Sequence, residues 1–430
     1  MINSRYRNSV AHLARAEKTI PLGSQTFSKS RTEYPVGISP LYVDRAKGST
    51  IWDIDGNRYV DLVNSLTSVT LGYGDDRVNR AVREQLRKGV SFSLPGVLEA
   101  EVAELLVAMI PSAEMVRFGK NGSDTTAAAI RLARAYTGRD HVAVCGYHGW
   151  QDWYIGSTTR NKGVPESVCA LTHKFVYNDV DSLKSVFNGL PGQVAAVIME
   201  PMNVQWPDPD FLQEVQRITR AAGAILIFDE TITGFRFARG GAQELFGVTP
   251  DLATFGKGIA NGFPLSAVVG RREIMMEMEE IFFSGTFGGE LLSLAAAKSV
   301  LQRHNEEDIC GALSAIGTNL EEQVMEIVES SSLSGILHFT GHPTWKFLDW
   351  KSTEQYDVSI LRTYFMQEMF AHGILVVGTH NISLGHSSVD IKKIVNAYGE
   401  FFQSLSNAVS EGTLESRLTV TPLQPLFKVR

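Results

Sequence analysis

Lys257 stands in Thr254-Phe255-Gly256-Lys257-Gly258, followed by Asn261-Gly262-Phe263-Pro264, with apolar neighbours on both sides. A lysine held in a dry pocket has a lowered pKa, and its neutral amine forms a Schiff base with an aldehyde. Two rival readings of these glycines fail. A Walker A loop needs a glycine where Asp251 stands and Ser or Thr where Gly258 stands. A dinucleotide fingerprint needs G-x-G-x-x-G, whereas Gly256, Gly258 and Gly262 follow a different spacing.

Other polar residues follow short apolar runs, where ligands bind in open parallel sheets. After 115–118 comes Gly119-Lys120-Asn121-Gly122-Ser123-Asp124 and then a helix rich in alanine and arginine. Backbone N–H groups and the dipole at such a helix start suit a phosphate. A plain N-cap by Ser123 or Asp124 is the alternative reading of that loop alone. After 141–145 comes Gly146-Tyr147-His148-Gly149-Trp150, an aromatic cluster on which a planar ligand could stack or which could simply pack. Glu200 follows 194–199, and Asp229-Glu230-Thr231 follows 225–228. A buried carboxylate needs a partner. A protonated heterocyclic nitrogen would be one, and an arginine such as Arg236 is an equal contender. Taken together, a phosphate-binding helix start, an aromatic stacker, an acid for a pyridine nitrogen and a pocket lysine are what pyridoxal 5′-phosphate (PLP) requires.

The elements that must position these residues follow from periodicity. A helix is expected from the start to about residue 22, ending at Pro21 and Gly23. Strands near 41–43, 50–54 and 59–62, with Asp55-Gly56 as a hairpin turn, predict a small antiparallel sheet. Helical runs at 97–109, 125–136, 183–187 and 211–222 alternate with apolar runs at 115–118, 141–145, 194–199, 224–228 and 265–269. That alternation implies βαβ crossovers and a mostly parallel sheet in an α/β fold. Helices at 293–304 and 309–328, a strand region at 335–350, a helix at 360–372, strands near 374–377 and 382–384 and a helix at 389–405 complete the reading. Three segments are expected: an N-terminal part, 1–78, a large domain, 79–308, and a C-terminal part, 309–430, the two ends contributing to one small domain.

The 430 residues carry 40 Lys+Arg against 47 Asp+Glu, a net charge of -7, so no general attraction to nucleic acid or anionic membrane is expected. Cys145, Cys169 and Cys310 are odd in number and irregular in spacing, which gives neither a disulfide framework nor a metal site and fits a reducing compartment. The ten histidines show no metal-ligand spacing, so no metal is predicted. A polar N-terminus and the lack of a long uncharged apolar run point to a cytoplasmic protein.

Five stretches carry a family likeness: Trp52-Asp53-Ile54-Asp55-Gly56-Asn57, Tyr147-His148-Gly149-Trp150, Ile227 to Arg236, Phe255-Gly256-Lys257-Gly258 and Gly285-Thr286-Phe287-Gly288-Gly289. On these the chain resembles class III aminotransferases of PLP fold type I, in particular the glutamate-1-semialdehyde aminotransferase-like branch. The resemblance implies a seven-stranded, mostly parallel sheet between helices, with a smaller α+β domain from the two ends. It makes Lys257 the Schiff-base lysine and the proton carrier, pairs Asp229 with the pyridine nitrogen, and puts Tyr147 and Ile232 on the two ring faces. Gly122, Ser123 and Asp124 would form the phosphate cup, Glu200 would lie near the ring hydroxyl, and Thr286 would reach the neighbouring subunit's cofactor in a homodimer. The family's usual Ser-Gly-Thr-Glu is here Asn121-Gly122-Ser123-Asp124, which leaves the individual phosphate donors open. Ser24-Gln25-Thr26-Phe27-Ser28 replaces the Ser-Pro-Val-Arg of the semialdehyde aminomutases and resembles enzymes of modified-sugar pathways, implying amino transfer from a donor such as glutamate to a sugar-derived carbonyl. Gln25, Trp150, Trp153 and His380 are candidates for the substrate pocket, and Arg31 or Arg236 for a donor carboxylate. An intramolecular 1,2-amino shift, or a non-catalytic PLP-fold protein, are the alternatives.

Overall fold

The computed structural model describes residues 4–423, which divide into two units, 4–75 with 312–423 and 76–311. The first unit begins with the helix Arg7–Ala16. It ends at Ala16, earlier than the expected residue 22, and Pro21 bars a continuation through Ile20, which is extended at φ −129°. Strands β1 (Val43–Lys47), β2 (Thr50–Asp53) and β3 (Arg58–Asp61) pair antiparallel in sequence order. The Asp53 carboxylate fixes the turn between β2 and β3 by accepting from the Asp55 and Asn57 amides at 3.0 and 2.7 Å, with Gly56 at φ +84°. The first strand starts at Val43 rather than at 41.

In the second unit, β4 (Met115–Gly119), β5 (His141–Cys145), β6 (Thr172–Lys174), β7 (Val194–Met199), β8 (Ile225–Asp229), β9 (Leu252–Phe255) and β10 (Ser266–Gly270) form one sheet. Its order is β4-β10-β9-β8-β7-β5-β6. β10 runs antiparallel to both β4 and β9, while β9, β8, β7, β5 and β6 pair parallel, so six strands share one direction. Every residue of β7, β8, β9 and β10 is buried. Successive strand residues point to opposite faces, so both faces are covered. Each Val, Ile or Leu so buried contributes about 1.5–3 kcal/mol.

The helix Gly122–Thr137 packs on this sheet. It begins before the expected 125, because Asp124 caps its own first turn, accepting from the Lys120 and Asn121 amides at 3.0 and 2.8 Å. Gly138, at φ +66°, ends it.

The returning stretch of the first unit carries β11 (Leu337–His342), β12 (Trp345–Trp350), β13 (Ile374–Leu375) and β14 (Thr379–Asn381). β13 joins β3 in parallel, giving the order β1-β2-β3-β13, and β11-β12-β14 form a separate antiparallel sheet. The strand expected at 382–384 is Thr379–Asn381 instead, since the chain turns at Ser383, whose carbonyl accepts from the His386 amide at 3.1 Å. The helices Val358–Ala371 and Ser388–Ser410 pack together through Phe365, Tyr398 and Phe401. Among the described residues no helix is long and apolar enough to cross a membrane.

Candidate active site

Parallel pairing brings the carboxyl ends of neighbouring strands together, and the polar residues gather there. Asp229, the last residue of β8, pairs with Thr254 of β9, and Lys257 lies three residues beyond Thr254. Met199, the last residue of β7, pairs with Phe228 on one side and with Cys145, the last residue of β5, on the other. Glu200 and Gly146-Tyr147-His148 therefore leave the sheet at the same edge. β4 has the same direction, so its continuation, Lys120 to Asp124, opens onto that edge too.

Asp229 is 4% exposed. Its Oδ2 lies 2.8 Å from His148 Nδ1, and its Oδ1 accepts from the Thr254 hydroxyl and the Thr231 amide, each at 3.1 Å. Burial pushes the Asp229 pKa up, but the hydrogen bond and charge of His148, helped by Thr231, more than offset this and hold it below the usual carboxylate range. Asp229 thus ends a buried strand as an anion with His148 as its partner, not Arg236. Glu230, next to it, goes elsewhere: the Thr233 hydroxyl, the Ala242 amide at 2.6 Å and the Gln243 amide at 2.9 Å all donate to it. Burial leaves its pKa raised.

Lys257 opens a short 3₁₀ turn at φ +43°. A left-handed conformation costs a non-glycine residue roughly 1–2 kcal/mol, and such strain concentrates at functional sites. Glu200 Oε2 accepts from the Tyr147 amide at 3.0 Å and from Asn203 Nδ2 at 2.6 Å. This carboxylate lies against Gly146, at φ +108°, where a Cβ would come within 2.6 Å of Oε2. Burial, and after it Glu200, pushes the neighbouring Cys145 thiol up to about 12, which keeps it neutral. Tyr147 is half-buried with its ring edge-on to Tyr154, and Ile232 is buried.

Ser123 Oγ accepts from the Trp150 amide at 3.3 Å, so the loop after β5 folds over the start of the helix Gly122–Thr137. Gly149, at φ +103°, makes that approach possible, because a Cβ there would lie 2.2 Å from Ser123 Oγ. The Asp124 carboxylate serves the helix cap, so an anion would meet the amides of Gly122 and Ser123 rather than that side chain. Thr286 lines a cleft of about 740 Å³ with Lys120, Asp124 and Arg117. Lys120 Nζ bonds Glu290 at 3.1 Å, and Glu290 caps the helix Leu291–Glu306.

The substrate candidates are scattered. Trp150 is 68% exposed, and Trp153 is buried against the His148 ring at 6.3 Å. Gln25 and Arg31 line a cavity of about 470 Å³ within the first unit, with Tyr34, Tyr42 and Tyr73. Arg31 is paired there with Glu17 at 2.5 Å. His380 corrects the sequence reading: it lies buried in the first unit, bonded to the Tyr398 hydroxyl at 2.8 Å and packed on Phe339. That is a packing position rather than a pocket wall. Arg236 is fully buried, and burial lowers its pKa to about 10. The residue that sequence reasoning passed over is His148, although a strand-end carboxylate in need of a partner and a histidine just after a nearby strand were both legible.

A family model described as aminotransferase class-III matches residues 33–387. A 3-aminobutyryl-CoA aminotransferase of Cloacimonas acidaminovorans is 33% identical over 402 residues, covering 91% of this chain and 96% of the relative. A glutamate-1-semialdehyde 2,1-aminomutase of Syntrophobacter fumaroxidans is 36% identical over 408 residues, covering 87% and 93%. Among solved structures, the FumI protein of Sphingopyxis sp. MTA144 in its PLP internal aldimine form superposes with a TM-score of 0.88 at 26% identity, covering 98% of this chain and 99% of that one. An omega-transaminase from Sphaerobacter thermophilus gives 0.83 at 27%, covering 93% and 99%. The residues present fit the cofactor: a helix start with open amides, two glycines where a side chain would collide, an ionised buried aspartate and a lysine, all at one sheet edge. With a family model spanning most of its length and this edge built for PLP, the chain belongs to the class III aminotransferases, PLP-dependent enzymes of fold type I.

Proposed function

We propose that the chain transfers an amino group from an amino acid donor, glutamate, to an aldehyde or ketone of sugar-derived character, with Lys257 as its catalytic residue. When bound, PLP supplies a carbonyl that takes the amino group and a protonated ring that absorbs the electrons of a substrate carbanion. Lys257 Nζ holds the cofactor and carries the proton between substrate carbon and cofactor carbon. Asp229 would face the ring nitrogen, where its ionised state would hold a proton. Tyr147 and Ile232 would bound the ring faces, Glu200 would stand near the ring hydroxyl, and the Gly122-Ser123-Asp124 turn would receive the phosphate. Thr286 completes that phosphate site from the neighbouring subunit of a homodimer. Trp150 and Gln25 are the remaining substrate contacts, and the enzyme acts in the cytoplasm.

The observation that carries this reading is the register: Asp229 pairs with Thr254, so an anionic carboxylate and the Lys257 turn leave adjacent parallel strands at one edge. The sugar-derived acceptor is supported by the resemblance of Ser24-Gln25-Thr26-Phe27-Ser28 to enzymes of modified-sugar pathways, and the loss of the Ser-Pro-Val-Arg segment speaks against the aminomutase substrate. Purified protein is expected to absorb in the visible region, with Lys257→Ala losing both band and turnover. Donor amino acids should bleach the band. If none does, amino transfer is lost as a reading.

One observation favours a second reading: the Syntrophobacter relative, named an aminomutase, is 36% identical. A 1,2-amino shift needs no separate donor, so product formed from a single amino-aldehyde without one would replace transfer by isomerisation.

A further inference from the structure

Both ring nitrogens of His148 face oxygen acceptors. Nδ1 lies 2.8 Å from Asp229 Oδ2, and Nε2 lies 3.1 Å from the Cys145 carbonyl. A neutral imidazole carries one N–H, so one of these contacts would set lone pair against lone pair. Turning the ring over would point carbons at both oxygens and forfeit both bonds, at a position only 2% exposed. The ring is also wedged, near-parallel to Trp153 at 15° and edge-on to Tyr154 at 5.3 Å, while the Thr126 hydroxyl holds its backbone carbonyl at 2.8 Å.

A proton on Asp229 would be the other way to satisfy the first contact. The carboxylate's second oxygen already accepts from Thr231 and Thr254, and donors to a carboxylate favour its ionised form. Cys145, whose carbonyl meets Nε2, has a thiol that stays neutral; the hydroxyl of Tyr154, edge-on to the ring, donates to the Gly146 carbonyl at 2.7 Å; and the Glu200 carboxylate after β7 is bonded to the Tyr147 amide. Asp229 is thus the anion that His148 meets.

We propose that His148 is a positioning residue held as an imidazolium, protonated on both ring nitrogens, and that it forms with Asp229 a buried pair of zero net charge. The cation behind Asp229 keeps that carboxylate ionised and leaves its remaining lone pair for whatever donor occupies the sheet edge. Its meaning for catalysis rests on the reading of Asp229 as the partner of the cofactor ring nitrogen; the charge state does not.

The test is nitrogen NMR on holoenzyme labelled with ¹⁵N only in histidine, in neutral and mildly alkaline buffer, with the His148 signals identified by their loss in His148→Gln. Two proton-bearing ring nitrogens are expected in both buffers. One protonated and one bare nitrogen would overturn the proposal. Should His148→Gln fail to fold, neutron diffraction from wild-type holoenzyme decides the same point, with deuterium on both nitrogens expected and on one alone contradicting it. Two protons in a protein that shows no visible cofactor band would sustain this assignment and sink the functional reading, whereas a single tautomer beneath a normal band would do the reverse.

Discussion

Two buried aspartates each end a strand, Asp229 on β8 in one unit and Asp61 on β3 in the other, and each accepts three hydrogen bonds. Those to Asp61 come from the Tyr73 hydroxyl at 2.7 Å and the Val63 and Asn64 amides at 2.7 and 3.0 Å. Their pKa values nevertheless move in opposite directions. Burial wins at Asp61 over Tyr73 and the two amides, and its pKa is raised. At Asp229 the His148 ring tips the balance the other way. A histidine is also near Asp61, but His386 Nε2 meets its backbone carbonyl at 3.1 Å and not its carboxylate. The number of donors is the same; at Asp229 one of them is the His148 ring, whose hydrogen bond and then charge lower the pKa.

The bonds also differ in what they hold. Two of Asp61's donors belong to the turn that follows it, where Asn64, Ser65, Leu66 and Thr67 are all left-handed at φ +46° to +72°. No glycine eases this run, which costs on the order of 1–2 kcal/mol per residue. Asp61 clamps it from one side, and Asn381, exchanging side-chain and backbone bonds with Asn64 and Val63, from the other. Asp61 therefore spends two of its three bonds on the turn that follows it, whereas Asp229 draws two of its three from side chains that leave neighbouring strands, His148 and Thr254.

Removing each carboxylate in turn should separate the two aspartates most widely. Asp229→Ala should slow the donor half-reaction by about 10²–10⁴-fold in stopped-flow absorbance, while Asp61→Asn should stay within about tenfold. Equal losses would erase the distinction. Asp61→Ala should instead lower unfolding free energy by about 3 kcal/mol in urea, since a hydroxyl and two amides lose their acceptor and the left-handed turn its clamp.

Buried His380 sharpens the contrast through pH. Burial lowers its pKa to about 3, so as pH falls below the unfolded value of about 6.5 the unfolded chain binds a proton that the folded one refuses. Stability from this group is complete above that pH and is lost down to the folded value. His380→Gln should flatten that acid limb by on the order of 2 kcal/mol, read from unfolding curves across the window. The smallest expected effect is at the loop over the helix start. Gly149→Ala must accommodate a methyl 2.2 Å from Ser123 Oγ, and cofactor affinity should fall about tenfold in equilibrium titration, roughly 1.4 kcal/mol.

Much of the second unit was legible because buried parallel strands read as unbroken apolar runs, as in Val194–Met199 and Ile225–Asp229. β6 and β9, three and four residues long, were not, although β9 leads directly to Lys257. Runs that short carry too little periodicity, and only their neighbours in the sheet make them strands. The left-handed turn at 64–67 was illegible for a similar reason, since Asn-Ser-Leu-Thr gives no local signal and its clamps are Asp61 and Asn381. Strand-end residues were readable from chain order alone. The surroundings of Trp150, Gln25 and His380 depend on packing that distant segments decide.

Amino transfer by this chain requires the amine of Lys257 to bond the cofactor. Borohydride treatment of the cofactor-loaded protein followed by peptide mass mapping should leave a stable pyridoxyl mass increment on the peptide containing Lys257 and on no other. An unmodified Lys257 with the label on a different lysine, or no label at all, would contradict it.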